Sequence, residues 1–442
     1  MKSLLRRIFL TPGFITIVAF LVRVGALLHA HRIIRNTVRD NLPFGYELGQ
    51  VAQSIAAGHG FSSPLHWFPT GPTAWFCPIY PYLVAGIFKI FGIYSFASLV
   101  VIQTLNCAFS ALTCIPIFLA AHRTFGIRVA ATAAWVWCFL VAAILFPITW
   151  VWDTTLSALW MAMLLYATLK LRDSSNAKNW AGYGALWAIG ALINPSLVAV
   201  LPALGIWLIV DLRRRALPWL RLAAAGALVF FVGISPWAIR NYRVFHKVIL
   251  FRSNFGLELW LGNSPQTVDN DSWDMHPNDD LDQGLQFKRV GEIAYMAGKE
   301  RQAIDYIRAN PGHDAFLIYH RFISTWLGIW DPLQDLWSNV NFSARFLESW
   351  NLVFALLTLL GALFVCSSRN QESFPYVAVL FLYPLVFYLT HASLRYRFPM
   401  DPVMTMLAAN GAISLITLAS TAWRSRRIPS LASQTSPKPL NS

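Results

Sequence analysis

Apolar segments long enough to cross a lipid bilayer recur along the chain and constrain its fold more than any other feature. Such segments lie at 14–31, 99–121, 129–148, 155–171, 180–194, 196–210, 222–239, 347–366, 375–391 and 401–420. Of the 442 residues, 56% are hydrophobic and only 13% are charged, whereas soluble domains carry about 25% charged residues. We therefore predict an all-α polytopic membrane protein with about ten transmembrane helices, each of roughly 20 residues.

Lysine and arginine are distributed unevenly over the loops between these segments. The segments 1–13, 122–128, 170–180, 211–221, 366–374 and 421–442 carry 3, 2, 3, 4, 1 and 4 of them, whereas 148–154 and 193–196 carry none. Cytoplasmic loops of membrane proteins are enriched in these residues. The distribution predicts that both termini are cytoplasmic, and it accounts for the formal net charge of +14 without invoking nucleic-acid binding.

The predicted topology leaves two large segments outside the cytoplasm. We predict an N-terminal transmembrane module at 1–239 with a first extracytoplasmic loop at 32–98, an extracytoplasmic domain at 240–346, C-terminal transmembrane helices at 347–420 and a disordered cytoplasmic tail at 421–442. No signal-peptidase site follows the first apolar segment, so we expect that segment to remain as a helix.

Sequence patterns predict shorter elements within the two large segments. In "GYELGQVAQSIAAG" (45–58), apolar residues recur at helical spacing and Glu47 falls on the polar face. "PIYPYLVAGIFKIFG" (78–92) is typical of an interfacial amphipathic helix. In the second segment, "FRSNFGLELWLGN" (251–263) has a strand-like composition, and about 285–328 reads as a helix pair broken at Asn310-Pro311-Gly312. We therefore predict interfacial helices in the first loop and a small mixed α/β insertion at 240–346.

Six ionisable residues lie where the predicted topology places the extracytoplasmic membrane surface: Asp40, Glu47, Asp153, Arg240, Arg395 and Arg397. Each has a simpler interpretation when taken singly. Glu47 could belong to a solvated helix face, Asp153 could be a helix N-cap, and Arg240 could anchor lipid headgroups. Arg23, inside the first apolar segment, could form an internal salt bridge or extend towards the surface.

Taken together, carboxylates and arginines at one depth indicate chemistry on a lipid-linked phosphate. Arginine offers a planar set of donors that matches phosphate oxygens. A carboxylate can accept a proton from an attacking hydroxyl. The anion that these arginines would meet is therefore a phosphate carried by a membrane lipid.

The order of several motifs along the chain resembles the C-type glycosyltransferases, a superfamily of integral membrane enzymes. "GYELGQVAQSIAAGHGFSSP", "TGPTAWFCPIYPYLVAGIFKIFG", "FLAAHRTFG" and "RYRFP" follow one another after an apolar segment that contains an arginine. The superfamily includes dolichyl-phosphate-mannose protein mannosyltransferases and the aminoarabinose transferase that modifies lipid A. Within it, the chain most resembles membrane enzymes grouped with the rhizobial lipopolysaccharide galacturonosyltransferases.

The resemblance implies transfer of a sugar from a polyprenyl-phosphate donor to an extracytoplasmic hydroxyl of a glycolipid, polysaccharide or protein, with inversion. It also implies a multi-pass protein of the bacterial inner membrane whose active site faces away from the cytoplasm. No cofactor, metal ion or nucleic-acid partner is expected. Besides donor and acceptor, membrane lipids are the expected partners.

The resemblance also assigns roles to individual residues. The catalytic base of such enzymes is an acid in the first loop, often placed before a tyrosine. Here Glu47 follows Tyr46, so Glu47 and Asp40 are both candidates for the base. Asp153 matches an aspartate at the start of the corresponding span, and Arg395 matches a basic position near the carrier phosphate. Arg240 and Arg397 are expected to assist Arg395 on that phosphate.

Three other functions compete with this interpretation. A transporter or flippase for lipid-linked sugars would favour repeated halves and broken helices at the membrane midplane, but the sequence shows no internal repeat. A non-catalytic scaffold leaves the carboxylate and arginine set unexplained. An oligosaccharide polymerase or ligase is chemically close and is not separated by sequence. "MHPNDDLD" (275–282) could hold a divalent cation, although a solvated acidic loop is the favoured interpretation.

Overall fold

The computed structural model describes residues 9–34, 44–328, 342–368 and 370–427, and this part of the chain is helical. Its α-helices are, in chain order, α1 (Pro12–Ile34), α2 (Tyr46–Ala56), α3 (Ile79–Phe91), α4 (Phe96–Leu112), α5 (Cys114–Phe125), α6 (Ile127–Phe139), α7 (Val141–Thr149), α8 (Thr154–Leu171), α9 (Ala177–Ile193), α10 (Leu201–Arg214), α11 (Trp219–Phe245), α12 (Phe255–Gly262), α13 (Leu281–Val290), α14 (Glu292–Ala309), α15 (Pro311–Leu327), α16 (Phe342–Ser367), α17 (Ser373–Leu382), α18 (Leu385–Leu389), α19 (Leu394–Arg397) and α20 (Asp401–Arg427). Within these residues the β-structure amounts to one isolated bridge between Ser62 and Pro72.

Seven helical segments in the described residues are long and apolar enough to cross a membrane. They are Pro12–His31, Phe96–Phe125, Thr154–Leu171, Pro195–Arg214, Trp219–Phe245, Ser349–Ser367 and Leu394–Trp423. The pair α6 and α7, bent by 42°, gives an eighth if it forms one span. The other two predicted spans, at 180–194 and 375–391, are helical but shorter. A multi-pass helical membrane protein is thus confirmed, and the count of ten stays a prediction.

The break between α6 and α7 explains the arginine inside the first span. Arg23 is fully buried, and its guanidinium donates to the carbonyl oxygens of Trp137 at 3.0 Å and Cys138 at 3.2 Å. Both carbonyls belong to the last turn of α6, where the backbone carbonyl groups of a helix have no N–H partner within the helix. The Ser110 hydroxyl accepts from Arg23 Nε at 2.8 Å. Arg23 therefore caps a broken helix, in place of the salt bridge considered from the sequence.

The first loop and the 240–346 segment share one apolar core. Buried side chains of α2 and α3 pack with the start of α8 and with α12, α13 and α14. These include Leu48, Val51, Val84, Phe88, Leu156, Leu257, Leu261, Phe287 and Met296. Because the two segments exclude water only by packing on each other, residues more than 200 positions apart are held side by side.

Two expectations about these elements are wrong. "FRSNFGLELWLGN" contains helix α12 instead of a strand, and the insertion is helical in its described residues. Leu257, Trp260 and Leu261 are buried against the neighbouring helices, so tertiary packing overrides the strand-like composition. The last helix, α20, continues to Arg427, past the predicted start of the disordered tail at 421. The predicted break at Asn310-Pro311 is confirmed as the junction of α14 and α15.

Candidate active site

Two cavities meet between the first loop, the 240–346 segment and the start of α20. The larger, of about 790 Å³, has an apolar wall from the break between α6 and α7, formed by Leu140, Val141, Leu145 and Phe146. The smaller, of about 130 Å³, is lined by more polar side chains. Six residues line both cavities: Glu47, Trp152, Trp273, His391, Arg395 and Tyr396. The junction of the two cavities therefore combines a carboxyl group, an arginine and aromatic rings.

Glu47 lies at this junction, in the first turn of α2, and is only 6% exposed. The side-chain amide of Asn278 donates to Glu47 Oε1 at 3.0 Å. His276 Nε2 lies 3.4 Å from the same oxygen. Burial lowers the pKa of His276 to about 3, so this ring is neutral at pH 7 and adds no charge to the contact. The prediction of a solvated helix face for Glu47 is wrong.

Burial raises the pKa of Glu47 to about 7, against the opposing effects of the Asn278 hydrogen bond and the positive charge of Arg395. A carboxyl group with a pKa near neutrality is a better proton acceptor than an ordinary exposed one, while it still ionises at physiological pH. Such a shift at a cavity wall is typical of functional carboxyl groups. Glu47 is therefore suited to general-base chemistry.

A close backbone contact fixes the position of α2. Gly45, which precedes the helix, has φ of 82°, and a Cβ atom there would lie 2.3 Å from the Val151 carbonyl oxygen. Only glycine adopts this conformation and permits this approach without strain. The contact holds Glu47 beside the segment that leads into α8, which supplies Trp152 and Asp153 to the cavities.

Arg395 has no carboxylate within 4 Å in the part of the chain that the structure describes. Its Nη2 donates to the Tyr396 hydroxyl at 2.8 Å. Its guanidinium carbon lies 4.7 Å from the ring centre of Trp152, 5.4 Å from that of Trp150 and 4.8 Å from that of Tyr396. The aromatic rings hold the guanidinium in place through cation–π contacts without neutralising it. Asp153 and Glu258 act on Arg395 without a direct ion pair, so its N–H groups remain available to an anion in the cavities.

Arg397, in contrast, is neutralised within the protein. Its Nε donates to Asp401 Oδ1 at 2.9 Å, and the two side chains are 2% and 1% exposed. Its other nitrogens donate to the Trp326 carbonyl oxygen at 2.8 Å and to Asn351 Oδ1 at 3.4 Å. These contacts join α15, α16 and α20 and favour a structural role for Arg397, although the residue also lines the larger cavity. Its role on the carrier phosphate stays a prediction.

Arg240 also lies outside the site. It lines neither cavity, and it donates to the carbonyl oxygens of Thr73 at 2.6 Å and Phe61 at 2.8 Å. Glu292 holds the same segment from the other side, accepting from the Thr73 hydroxyl at 2.5 Å and the Ala74 N–H at 2.8 Å. Arg240 also donates to Asn241 Oδ1 at 3.0 Å, and its guanidinium carbon lies 5.0 Å from the ring centre of Trp237. Its contacts are thus with neighbouring groups outside the two cavities, and its role on the phosphate stays a prediction that this position does not favour.

Asp153 lines the smaller cavity and does not cap α8 with its side chain. It accepts a long hydrogen bond of 3.4 Å from the Ser157 hydroxyl. The cap interpretation is therefore wrong, and the structure places Asp153 with the cavity residues. Asp40, the other candidate base, lies outside the described residues.

Several residues of the cavities were missed from the sequence. The segment 275–282 is not a solvated loop throughout, because His276 and Asn278 are 2% and 4% exposed against Glu47. Glu258 and His391 also face the smaller cavity. Glu258 could have been recognised as a candidate from the sequence, because it is a lone carboxyl group within the apolar run "FGLELWLG". Nothing in the sequence pairs 276–278 with Glu47.

Comparison with known proteins agrees with this architecture. Residues 72–239, less than half of the chain, match the family model described as dolichyl-phosphate-mannose-protein mannosyltransferase. This segment contains Asp153 but neither Glu47 nor Arg395. No curated protein matches the chain in sequence.

Two solved structures of an archaeal oligosaccharyltransferase share the fold. AglB from Archaeoglobus fulgidus, in complex with an inhibitory peptide and a dolichol-phosphate, matches with a TM-score of 0.50 at 17% identity, over 95% of this chain and 52% of that chain. The oligosaccharyltransferase from the same organism, tethered with an acceptor peptide, matches with a TM-score of 0.54 at 15% identity, over 94% of this chain and 51% of that chain. The chain thus spans about half the length of these proteins.

ArnT from Cupriavidus metallidurans, bound to undecaprenyl phosphate, matches with a TM-score of 0.37 at 15% identity, over 94% of this chain and 80% of that chain. At the identities found, the oligosaccharyltransferase similarity concerns the fold alone.

The chain is thus a multi-pass helical membrane protein that shares the fold of these oligosaccharyltransferases, and its residues 72–239 match the dolichyl-phosphate-mannose-protein mannosyltransferase model. Both findings agree with the resemblance to C-type glycosyltransferases that its motifs show.

Proposed function

We propose that the protein is a glycosyltransferase that moves a sugar from a polyprenyl-phosphate-linked donor to an acceptor hydroxyl. The observation that carries the proposal is the junction of the two cavities, where Glu47 and Arg395 lie on shared walls. The solved relatives bound to dolichol-phosphate and to an acceptor peptide support the same class of reaction.

Arg395 would bind the carrier phosphate, with the apolar wall at 140–146 beside it for the isoprenoid chain. Guanidinium groups bind phosphate oxygens through paired hydrogen bonds. As the bond between the anomeric carbon and the phosphate oxygen breaks, negative charge grows on the leaving phosphate, and Arg395 would stabilise it.

Glu47 would take the proton of the acceptor hydroxyl as its oxygen attacks the anomeric carbon from the side opposite the phosphate. The products are the glycosylated acceptor, with inverted configuration, and the polyprenyl phosphate. Phosphate leaves without protonation, so one carboxylate suffices for proton transfer. A positioned general base contributes about 10²–10⁴ in rate.

The donor assay tests this proposal directly. Full-length protein purified in nanodiscs should transfer sugar from a polyprenyl-phosphate sugar, and it should not use the corresponding nucleotide sugar when no lipid carrier is present. Mass spectrometry of envelope glycans and lipids from cells with and without the gene would identify the acceptor. Turnover of a nucleotide sugar without lipid would contradict the proposal, and transport of the intact donor without transfer would favour a flippase.

The side of the membrane on which the reaction takes place follows from the lysine and arginine distribution. We expect the cavities to face away from the cytoplasm. Reporter fusions after Arg128 and Arg215 should then be active in the cytoplasm, and fusions within 265–285 should be active outside it. A cytoplasmic signal from 265–285, in protein that retains activity, would reverse the orientation.

A further inference from the structure

The smaller cavity contains an unusual concentration of buried polar atoms without partners. Eleven buried side-chain atoms make no hydrogen bond with the described part of the chain, and four of them belong to residues that line this cavity: Trp152 Nε1, Asn254 Oδ1, Glu258 Oε2 and His391 Nδ1. Asn254 and His391 are only 2% and 4% exposed. Because native proteins leave few such atoms unpaired, their clustering indicates a site for a polar ligand.

Neighbouring contacts define what these atoms offer. The Asn254 side-chain NH2 donates to Glu258 Oε1 at 2.6 Å, which leaves Asn254 Oδ1 and Glu258 Oε2 as acceptors. The Tyr396 hydroxyl accepts from Arg395 and lies 2.9 Å from His391 Nε2, which is also 3.6 Å from Glu258 Oε2. His391 Nδ1 is a donor in one tautomer of the ring and an acceptor in the other. In either tautomer the cluster offers both donors and acceptors, and the hydroxyl groups of a sugar both donate and accept.

The charge of the cavity limits which sugars it can take. Its ionisable lining includes three carboxyl groups, Glu47, Asp153 and Glu258, against two arginines, Arg252 and Arg395. Burial lowers the pKa of both His276 and His391 to about 3, so neither ring adds positive charge. Burial also raises the pKa of Glu47, Asp153 and Glu258, so these carboxyl groups are poorly suited to hold negative charge. The two arginines already face these carboxyl groups, and Arg395 would also face the carrier phosphate. A sugar that itself carries a carboxylate would therefore add a buried negative charge with no further cation to pair with it and little water to screen it.

We propose that the smaller cavity binds the sugar of the donor and that Glu258 and Asn254 select a single sugar without negative charge over a uronic acid. The inference rests on the proposed function and extends it to the class of donor. The cavity volume of about 130 Å³ has room for roughly ten water molecules, which suits one sugar ring and not an oligosaccharide. Arg395, on the wall shared with the larger cavity, places the phosphate next to that ring.

Binding measurements with matched lipids test this assignment. The probes are a short-chain polyprenyl phosphate, the same lipid carrying glucose, galactose or mannose, and the same lipid carrying each corresponding uronic acid. In nanodiscs, the unsubstituted protein should bind at least one neutral glycolipid about tenfold more tightly than its uronic acid counterpart and than the bare carrier. Asn254→Ala should lower the affinity for that glycolipid about tenfold, and its affinity for the bare carrier should stay within about twofold of that of the unsubstituted protein.

Glu258→Gln should reduce the difference in affinity between the neutral glycolipid and its uronic acid counterpart, because glutamine keeps the shape of the side chain but cannot carry a negative charge. Glu300→Gln, on the exposed face of α14, is the matched control and should change nothing. If the uronic lipids bind more tightly to the unsubstituted protein, or if Asn254→Ala weakens bare and glycosylated carrier equally, the assignment of this cavity is wrong. Absence of binding to every lipid, the bare carrier included, would instead contradict the proposed function.

Discussion

Replacing Glu47 with glutamine should lower turnover by about 10²-fold or more while donor binding is retained. Glutamine keeps the size of the side chain and an oxygen for the Asn278 amide, but it cannot accept the acceptor proton. The pH dependence supplies a second measurement. Because burial raises the pKa of Glu47 to about 7, kcat/KM should rise as pH increases through about 7, when the carboxyl group loses its proton. In Glu47→Gln that rise should disappear.

Two further variants show whether the loss of activity comes from the missing base and not from misfolding, and whether the base is Glu47 or Asp40. Glu300→Gln changes an exposed glutamate in the same way and should leave both turnover and the pH profile unchanged. Asp40→Asn should have a much smaller effect than Glu47→Gln. The reverse order would move the base to Asp40, and full activity in both variants would exclude a general base in the first loop.

Arg395→Ala should lower kcat/KM for the polyprenyl-phosphate donor by about 10²-fold, the effect of losing paired, charge-assisted hydrogen bonds to phosphate. Arg395→Lys should recover only part of the loss, because an ammonium group lacks the two-pronged geometry of guanidinium. Affinity for a bare polyprenyl phosphate should fall in parallel with kcat/KM. Arg289→Ala, an exposed arginine on α13, is the control and should behave as the unsubstituted protein does. Unchanged carrier affinity in Arg395→Ala would show that this arginine only packs against the aromatic rings.

The neighbouring arginine should behave differently. Arg397→Ala leaves Asp401 buried without its partner, and breaking a buried pair in this way costs about 3–5 kcal/mol. We therefore expect a lower yield and a lower Tm, with carrier affinity of the folded fraction near that of the unsubstituted protein. A specific loss of carrier binding in well-folded Arg397→Ala would return this residue to the site.

The spans were predictable because each is a local property of the sequence. A helix in a bilayer satisfies its own backbone hydrogen bonds, so an apolar run of sufficient length is enough to predict it. α1, α8 and α11 accordingly coincide with predicted runs to within a few residues. The helix α12 was mistaken for a strand because eight residues carry too little periodicity to separate the two. Its burial against α14, a tertiary contact, decided the conformation.

The site shows the same division between local and tertiary information. The sequence by itself predicted that acidic and basic groups lie near one end of the helical bundle, and it included Glu47 and Arg395 among the candidate site residues by type and position. Only the tertiary structure decided which charges are free. Arg395 and Arg397 are two residues apart, yet Asp401 and the carbonyl of Trp326 neutralise one, while aromatic rings surround the other. The pairing of Glu47 with Asn278 was likewise beyond the sequence, since it joins residues on separate segments that meet only through a shared apolar core. A charge is functional or structural according to what lies within about 4 Å of it, and those neighbours come from packing of distant segments.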